Sequence, residues 1–162
     1  MTFKYLFAST KQQRIDLYVS HQLVRSYPVS TGKNGTGQQQ DSEKTPLGWH
    51  MIAEKHGHNA PLNAVLVARE ETGEIYTPEL HTDNPDRDWI LTRILRLKGL
   101  KEGFNAGGSV DTFKRYIYLH GTPDTTKLGV IGSRGCIRMQ NEAIITLFNE
   151  VEIGTPVYIS DN

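Results

Sequence analysis

Apolar and polar residues alternate along the first half of the chain with the two-residue period of half-buried strands. The pattern predicts strands over Lys4 to Ala8, Arg14 to Ser20 and Gln22 to Ser30, where Ile15-Asp-Leu-Tyr-Val and Leu23-Val-Arg-Ser-Tyr are rich in branched and aromatic side chains. A break at Ser20-His21-Gln22 predicts a hairpin, and the polar, glycine-bearing run Thr31 to Glu43 predicts a surface loop. Strands resume at Trp49 to Glu54 and Ala64 to Ala68. The segment Trp89 to Leu97 fits two periods: Ile90, Ile94 and Leu97 share a helix face, yet Leu91, Arg93, Leu95 and Leu97 alternate as a strand. Arg115 to His120 is predicted as a strand that ends on His120. Ile144, Ile145, Phe148 and Val151 mark one face of a helix stopped by Gly154, and Pro156 to Ser160 closes the chain as a strand. The sum is a β-dominated domain with one helix.

Length and composition agree with one compact domain over residues 1–162. A chain of this size buries roughly two-thirds of the surface its unfolded form exposes. The charge is balanced, 18 basic against 18 acidic residues, so no global field favours nucleic acid or an anionic membrane. The apolar run near the N-terminus is far shorter than the about 7–15 residues of a signal-peptide core, and nothing approaches the roughly 20 apolar residues of a membrane span. These features predict a cytoplasmic location without membrane insertion. One cysteine excludes an internal disulfide.

That cysteine carries the candidate chemistry. Tyr118-Leu-His-Gly-Thr-Pro-Asp is followed by Ser133-Arg-Gly-Cys-Ile-Arg-Met139, which sets His120 upstream of Cys136. Sulfur attacks a carbonyl as thiolate, and an imidazole can take the thiol proton and return it to a leaving amine. Gly135 permits a backbone turn closed to other residues, and consecutive amides at such a turn can face a developing oxyanion. A lone cysteine is more often a small buried hydrophobe, and His120 could be a satisfied strand-end histidine. Glycines and arginines around Cys136 tip the balance, since arginines stabilise a thiolate.

Other features read as structure. His56 and His58 flank a glycine without a third ligand, so no metal is expected. His50 and His81 stand alone, and Arg93, Arg96, Lys98 and Lys101 read as a solvated basic face. Gly32, Gly35 and Gly37 meet neither phosphate-loop pattern, and no cofactor is expected. The loops Thr31 to Glu43 and Leu80 to Asp88 are connectors or lids.

His120-Gly-Thr with Ser133-Arg-Gly-Cys-Ile-Arg resembles the active-site signature of the L,D-transpeptidase catalytic domain, the YkuD (ErfK/YbiS/YcfS/YnhG) family. Asp16-Leu-Tyr-Val, Tyr27-Pro-Val-Ser-Thr-Gly32 and Lys44-Thr-Pro-Leu-Gly-Trp49 resemble that domain's first half, so the likeness spans nearly the whole chain. One position departs: Arg134 stands where the family commonly has His. The resemblance implies a mainly β, YkuD-type β-sandwich with a short C-terminal helix packed behind the nucleophile loop, and it resolves Trp89 to Leu97 as a strand.

The resemblance also implies a role for each site residue. Cys136 is the nucleophile, His120 the base, and the Gly121 carbonyl orients the imidazole. The amides of Arg134, Gly135 and Cys136 form the oxyanion hole, with Ser133 shaping the turn. Tyr118, Ser133, Arg134 and Arg138 are the candidate substrate contacts, the arginines as a fork for a carboxylate. The implied substrate is a peptidoglycan tetrapeptide or muropeptide. Hydrolysis of the thioester, an L,D-carboxypeptidase reaction in muropeptide recycling, fits the cytoplasmic expectation. Transfer to a second stem peptide, as an L,D-transpeptidase, and a noncatalytic peptidoglycan-binding module are the alternatives. A papain-like protease carries a different signature around its cysteine.

Overall fold

The computed structural model describes residues 2–162. Its strands are β1 (Lys4–Ser9), β2 (Arg14–Val19), β3 (Gln22–Pro28), β4 (Gly48–His56), β5 (Ala64–Val67), β6 (Glu70–Ile75), β7 (Leu91–Gly99), β8 (Tyr118–Gly121), β9 (Ile137–Met139) and β10 (Pro156–Ser160). Two α-helices, α1 (Pro78–Asp83) and α2 (Asn141–Glu150), interrupt them. All ten strands join one sheet with the path β3-β2-β1-β10-β4-β7, from which β7 continues both to the β5–β6 hairpin and to β8-β9. The expected mainly β domain is what forms. The sheet also closes on itself, because Ser30, just past β3, exchanges backbone hydrogen bonds of 3.0 and 2.9 Å with Arg138 in β9.

The closed sheet encloses one main core. Leu6 and Ala8 of β1, Ile15 and Leu17 of β2, Leu95 and Leu97 of β7, and Val157 and Ile159 of β10 point into it, as the period of two requires. Helix α2 lays Ala143, Ile144, Leu147 and Phe148 on the same core, with Ile145 only half buried, so its apolar face is set slightly differently from the face read in sequence. β7 is the central strand, buried on both faces for most of its length. A strand without a wet face loses its alternation, which is why its sequence also matched a helix.

Three expectations are corrected. The basic run is solvated only at Lys98 and Lys101: Arg93 and Arg96 are buried, Arg93 donating to the carbonyls of Ala60 and Thr92, Arg96 bonding Glu54 and the Phe113 carbonyl. The Arg96 guanidinium also lies 3.5 Å from the Phe113 ring centroid, so its charge is held by an ion pair and a π face. Second, the strand ending on His120 starts at Tyr118 rather than Arg115, because Tyr116 takes a positive φ of 55° in a turn. Third, part of the Leu80–Asp88 loop is helical. Thr77 caps α1 by accepting the Leu80 N–H at 3.0 Å, and Pro78 opens it. β6 was also not predicted, since Glu70-Glu-Thr-Gly-Glu-Ile is polar and largely exposed on both faces.

One strained residue holds the site end of β7. Thr92 adopts φ +75°, which a β-branched residue tolerates poorly, where the β7–β8 register shifts between Leu91 and Ile94. Its hydroxyl accepts the Asn63 N–H (3.1 Å) and donates to the Asn141 side-chain carbonyl (2.8 Å). Thr92→Val keeps the shape and removes both bonds inside the protein. We expect a loss of about 1–3 kcal/mol in urea unfolding from the groups left unsatisfied; an unchanged midpoint would show that the hydroxyl does not hold the bulge.

Candidate active site

β8 and β9 run parallel, Leu119 opposite Ile137 and His120 opposite Arg138. Leu119, Ile137 and Met139 fill the core. Alternation therefore turns Tyr118, His120, Cys136 and Arg138 to the other face. There Cys136 and Tyr118 pack with Leu66, Ile90 and Ile94. The cysteine keeps part of its surface open to a cleft of about 440 Å³, walled by Arg69, Asp88, Tyr116, Tyr118 and Arg134 among others. A smaller hollow of about 270 Å³, lined by Asp41, Glu43 and Arg115, shares Tyr116 and Arg134 as its partition.

His120 is buried, and its Nδ1 lies 2.6 Å from the Gly121 carbonyl oxygen. A carbonyl only accepts, so Nδ1 carries the proton and Nε2 carries the lone pair. Gly121 is required by packing: a Cβ there would lie 2.3 Å from Asn141 Oδ1 and 2.6 Å from the Leu91 oxygen. Its lack of a side chain lets α2 and β7 close on the strand that carries the imidazole. Burial lowers the His120 pKa, Asp88 and the Gly121 carbonyl counter in part, and Arg138 adds to the lowering, so the ring is neutral at rest.

The sulfur is held by backbone. Cys136 Sγ accepts the Tyr118 N–H at 3.3 Å and donates to the Tyr116 carbonyl at 3.4 Å. The thiol proton thus points at Tyr116, not at His120, and no Sγ–Nε2 hydrogen bond is formed among the described residues. Cys136 sits one diagonal step along the parallel ladder from His120, so a rotation about its Cα–Cβ bond redirects the thiol. Burial pushes the Cys136 thiol up to about 12; the Tyr118 amide, Arg138 and Arg115 oppose the rise, and Asp88 adds to it. The resting pair is thiol and neutral imidazole.

The turn before Cys136 is tied down on every side. Ser133 Oγ donates to the Cys136 carbonyl (2.5 Å) and accepts the Gly135 N–H (3.1 Å), shaping the turn and occupying one of the three amides expected to face an oxyanion. Gly135 takes φ +118°, and a Cβ there would come within 3.1 Å of the Lys44 oxygen. The glycine-bearing loop lies alongside, with Lys33 N–H bonded to the Ser133 carbonyl and Ser133 N–H to Thr31. Thr45 joins both, accepting the Gly32 N–H at 2.8 Å and donating to the Gly135 carbonyl at 2.9 Å.

The two arginines part company. Arg134 is exposed over the cleft and donates to the Asp86 carbonyl at 3.2 Å. Arg138 reaches the Gly132 carbonyl (3.1 Å) and Asp88 (3.4 Å), so its fork secures the nucleophile loop. Asp88, Arg69 and Thr45 are site residues that sequence reasoning did not single out. Thr45 lay inside the Lys44-Thr-Pro-Leu-Gly run and Asp88 at the end of the loop read as a connector or lid, while Arg69 stood in a segment with no signal of its own.

Three of the other histidines are satisfied elsewhere. His50 is buried between the Gly48 carbonyl and Thr112, and burial lowers it to about 4. His81 meets the Trp89 indole N–H, and His56 meets Glu54. No group of metal-ligating side chains is found among the described residues.

These electrostatics set the reactivity of the thiol. Alkylation by iodoacetamide should rise about tenfold per pH unit between pH 7 and 10 without levelling, because the thiolate is the reactive form. A plateau below pH 9 would show an ion pair at rest. Asp88→Asn removes a charge that raises the thiol pKa, so it should speed alkylation several-fold at pH 8; an unchanged rate would show that the Asp88 field does not reach the sulfur.

Comparisons with known proteins agree with this geometry. The model of the YkuD family, the L,D-transpeptidase catalytic domain, matches residues 4–159. YqjB of Bacillus subtilis (strain 168) is 40% identical over 60 residues, covering 37% of this chain and 32% of that protein. In fold the chain is similar to an L,D-transpeptidase from Mycobacterium smegmatis (TM-score 0.63, 18% identity) over 98% of its own length and 59% of that chain. It is also similar to L,D-transpeptidase 3 from Mycobacterium tuberculosis (TM-score 0.59, 19% identity), over 98% of its own length and 61% of that chain. With its family model matched from β1 to β10 around the His120 and Cys136 strands, the chain belongs to the YkuD family of L,D-transpeptidase catalytic domains.

Proposed function

We propose that this domain is a cysteine acyl-transfer enzyme that removes terminal D-alanine from peptidoglycan tetrapeptides, an L,D-carboxypeptidase. The observation that carries the reading is a cleft-facing Cys136 on the same face of the β8–β9 ladder as an imidazole whose free nitrogen is fixed as Nε2 by the Gly121 carbonyl. Cys136 Sγ, turned from the Tyr116 carbonyl, attacks the carbonyl carbon between the L-centre of the diamino acid and D-alanine while Nε2 takes the thiol proton. The resulting oxyanion is met by the amides of Arg134 and Cys136, for which the described residues supply no acceptor, Gly135 being engaged by Ser133. Return of the proton to the amine breaks the C–N bond and releases D-alanine. Water, deprotonated by His120, then breaks the thioester and regenerates the thiol.

Neutral partners suit this sequence of steps. A base must begin deprotonated to accept the thiol proton, and burial of His120 supplies that. Water as the second acceptor needs no seat of its own in a cleft open to solvent, which favours hydrolysis. In the cytoplasmic setting that belongs to the same proposal, the substrates would be soluble muropeptides of wall recycling. One observation favours transpeptidation instead: the hollow beyond Tyr116 and Arg134 sets Asp41 and Glu43 beside Arg115, a mixed-charge seat for an acceptor peptide.

Mass spectrometry of a tetrapeptide muropeptide incubated with the protein separates these outcomes. We expect a tripeptide and free D-alanine, abolished by Cys136→Ala and reduced about 10²–10⁴-fold by His120→Gln. Cross-linked dimers would establish transpeptidation. No product from a protein whose Cys136 is still alkylated would rule out both.

A further inference from the structure

The turn joining β5 to β6 is made of Ala68 and Arg69, with φ of +49° and +67°. A two-residue hairpin needs this left-handed backbone, and Asn-Gly fills it without strain. Ala-Arg fills it only at a cost, as Ser20-His21 does in the β2–β3 hairpin, and what sets Ala-Arg apart is where it lies. Both residues border the Cys136 cleft. The Arg69 guanidinium donates to the Tyr118 hydroxyl at 3.1 Å and lies 5.1 Å from the centroid of the Tyr116 ring. It has no carboxylate partner among the described residues, whereas the cleft's acid, Asp88, is already paired with Arg138.

We propose that Arg69 binds a free carboxylate of the acyl-donor peptide and so selects acidic over amidated substrates. The inference rests on the acyl-transfer reading above and names a residue for it outside the nucleophile motif. One edge of the fork is occupied by a neutral phenol and one face by a ring, which hold the guanidinium in place and leave donors for a bidentate carboxylate. Tyr118 joins the arginine to the chemistry, since its N–H bonds Cys136 Sγ. Arg134 is the weaker candidate because it is exposed and anchored only to one backbone carbonyl. Two carboxylates of the donor peptide can flank the scissile bond, that of its terminal D-alanine and, in a peptide whose third residue is a diamino diacid, the one on that residue's side chain.

The test compares four proteins, wild type, Arg69→Gly, Arg69→Lys and Cys136→Ser, on the free tetrapeptide and on peptides amidated at either carboxyl. In the wild type, amidation at the recognised carboxyl should raise KM at least tenfold, and the position that responds identifies the carboxylate. Arg69→Gly should raise KM at least tenfold for the free acid, show no preference between acid and amide, and unfold at the same or a higher temperature because glycine relieves the turn. Arg69→Lys, keeping charge but not the fork, should fall between. A wild type indifferent to both amidations, or an Arg69→Gly protein that keeps the preference, overturns the proposal. Calorimetric binding of the same peptides to Cys136→Ser, with and without Arg69→Gly, reads the preference without turnover. Preference in binding with no product from the wild type would sink the acyl-transfer reading and leave Arg69 as a carboxylate site; no preference in binding sinks the Arg69 site.

Discussion

The short parallel ladder between β8 and β9 is the constraint on which the cleft depends. Parallel neighbours require a crossover, and here it is the long irregular segment from Thr122 to Cys136 that returns the chain beside its own strand. Leu119 and Ile137 bury one face of the ladder in the core, which fixes the register and thereby forces Tyr118, His120, Cys136 and Arg138 onto the other. A slip of one residue would send the thiol inward. Ser30 closes the far edge of β9, and the Thr31–Thr45 loop grips the turn, so Cys136 sits where two ends of one sheet meet.

Burial then governs the chemistry of that meeting point. Removing Cys136 and His120 from water favours their uncharged forms, and Asp88 and Arg138, being paired, supply opposing fields that largely offset each other. Of the two arginines that the sequence sets beside Cys136, only Arg138 lowers the thiol pKa; Arg115, from a distant segment, joins it, and desolvation outweighs both. Arg138 spends its donors on a backbone carbonyl and a carboxylate, which explains how an arginine beside a cysteine can act mainly as a loop tie. The sulfur therefore rests uncharged, as a thiol.

Much of the frame was legible because burial leaves a period in the sequence. β1, β2, β10 and the α2 face all carry one. The motif placed His120 and Cys136 because the chemistry demands those residue types. What escaped the reading has physical causes. β6 is held by backbone pairing to β5 and buries little, so no apolar pattern marks it. Arg93 and Arg96 looked solvated because burying a guanidinium depends on acceptors from distant segments, Ala60 and Phe113. Arg69 and Asp88 enter the cleft through the paths of a hairpin and a loop, and no local residue pattern encodes where those paths end.

Backbone strain draws these threads together. Several positive-φ residues, such as Asn59 and Asn63, are types that tolerate the conformation in turns. Gln13 and Ser20 are not and take it in the turns on either side of β2, away from the cleft, whereas Ala68, Arg69, Thr92 and Tyr116 take it at the cleft or on the strand behind it. Thr92 bends β7 at the point where Leu91 meets Gly121, and so sets the height of the carbonyl that orients His120. Tyr116 turns its carbonyl to the thiol and its ring between the two hollows, which an extended residue at that position would not do. Each unfavourable conformation costs about 1–3 kcal/mol and persists only where surrounding contacts over-determine it. Here those contacts are the hydroxyl bonds of Thr92 and the guanidinium of Arg96, 4.9 Å from the Tyr116 ring centroid. Arg96 of β7 thus belongs to the same construction as Cys136: it holds the strained turn whose Tyr116 carbonyl accepts the thiol hydrogen bond.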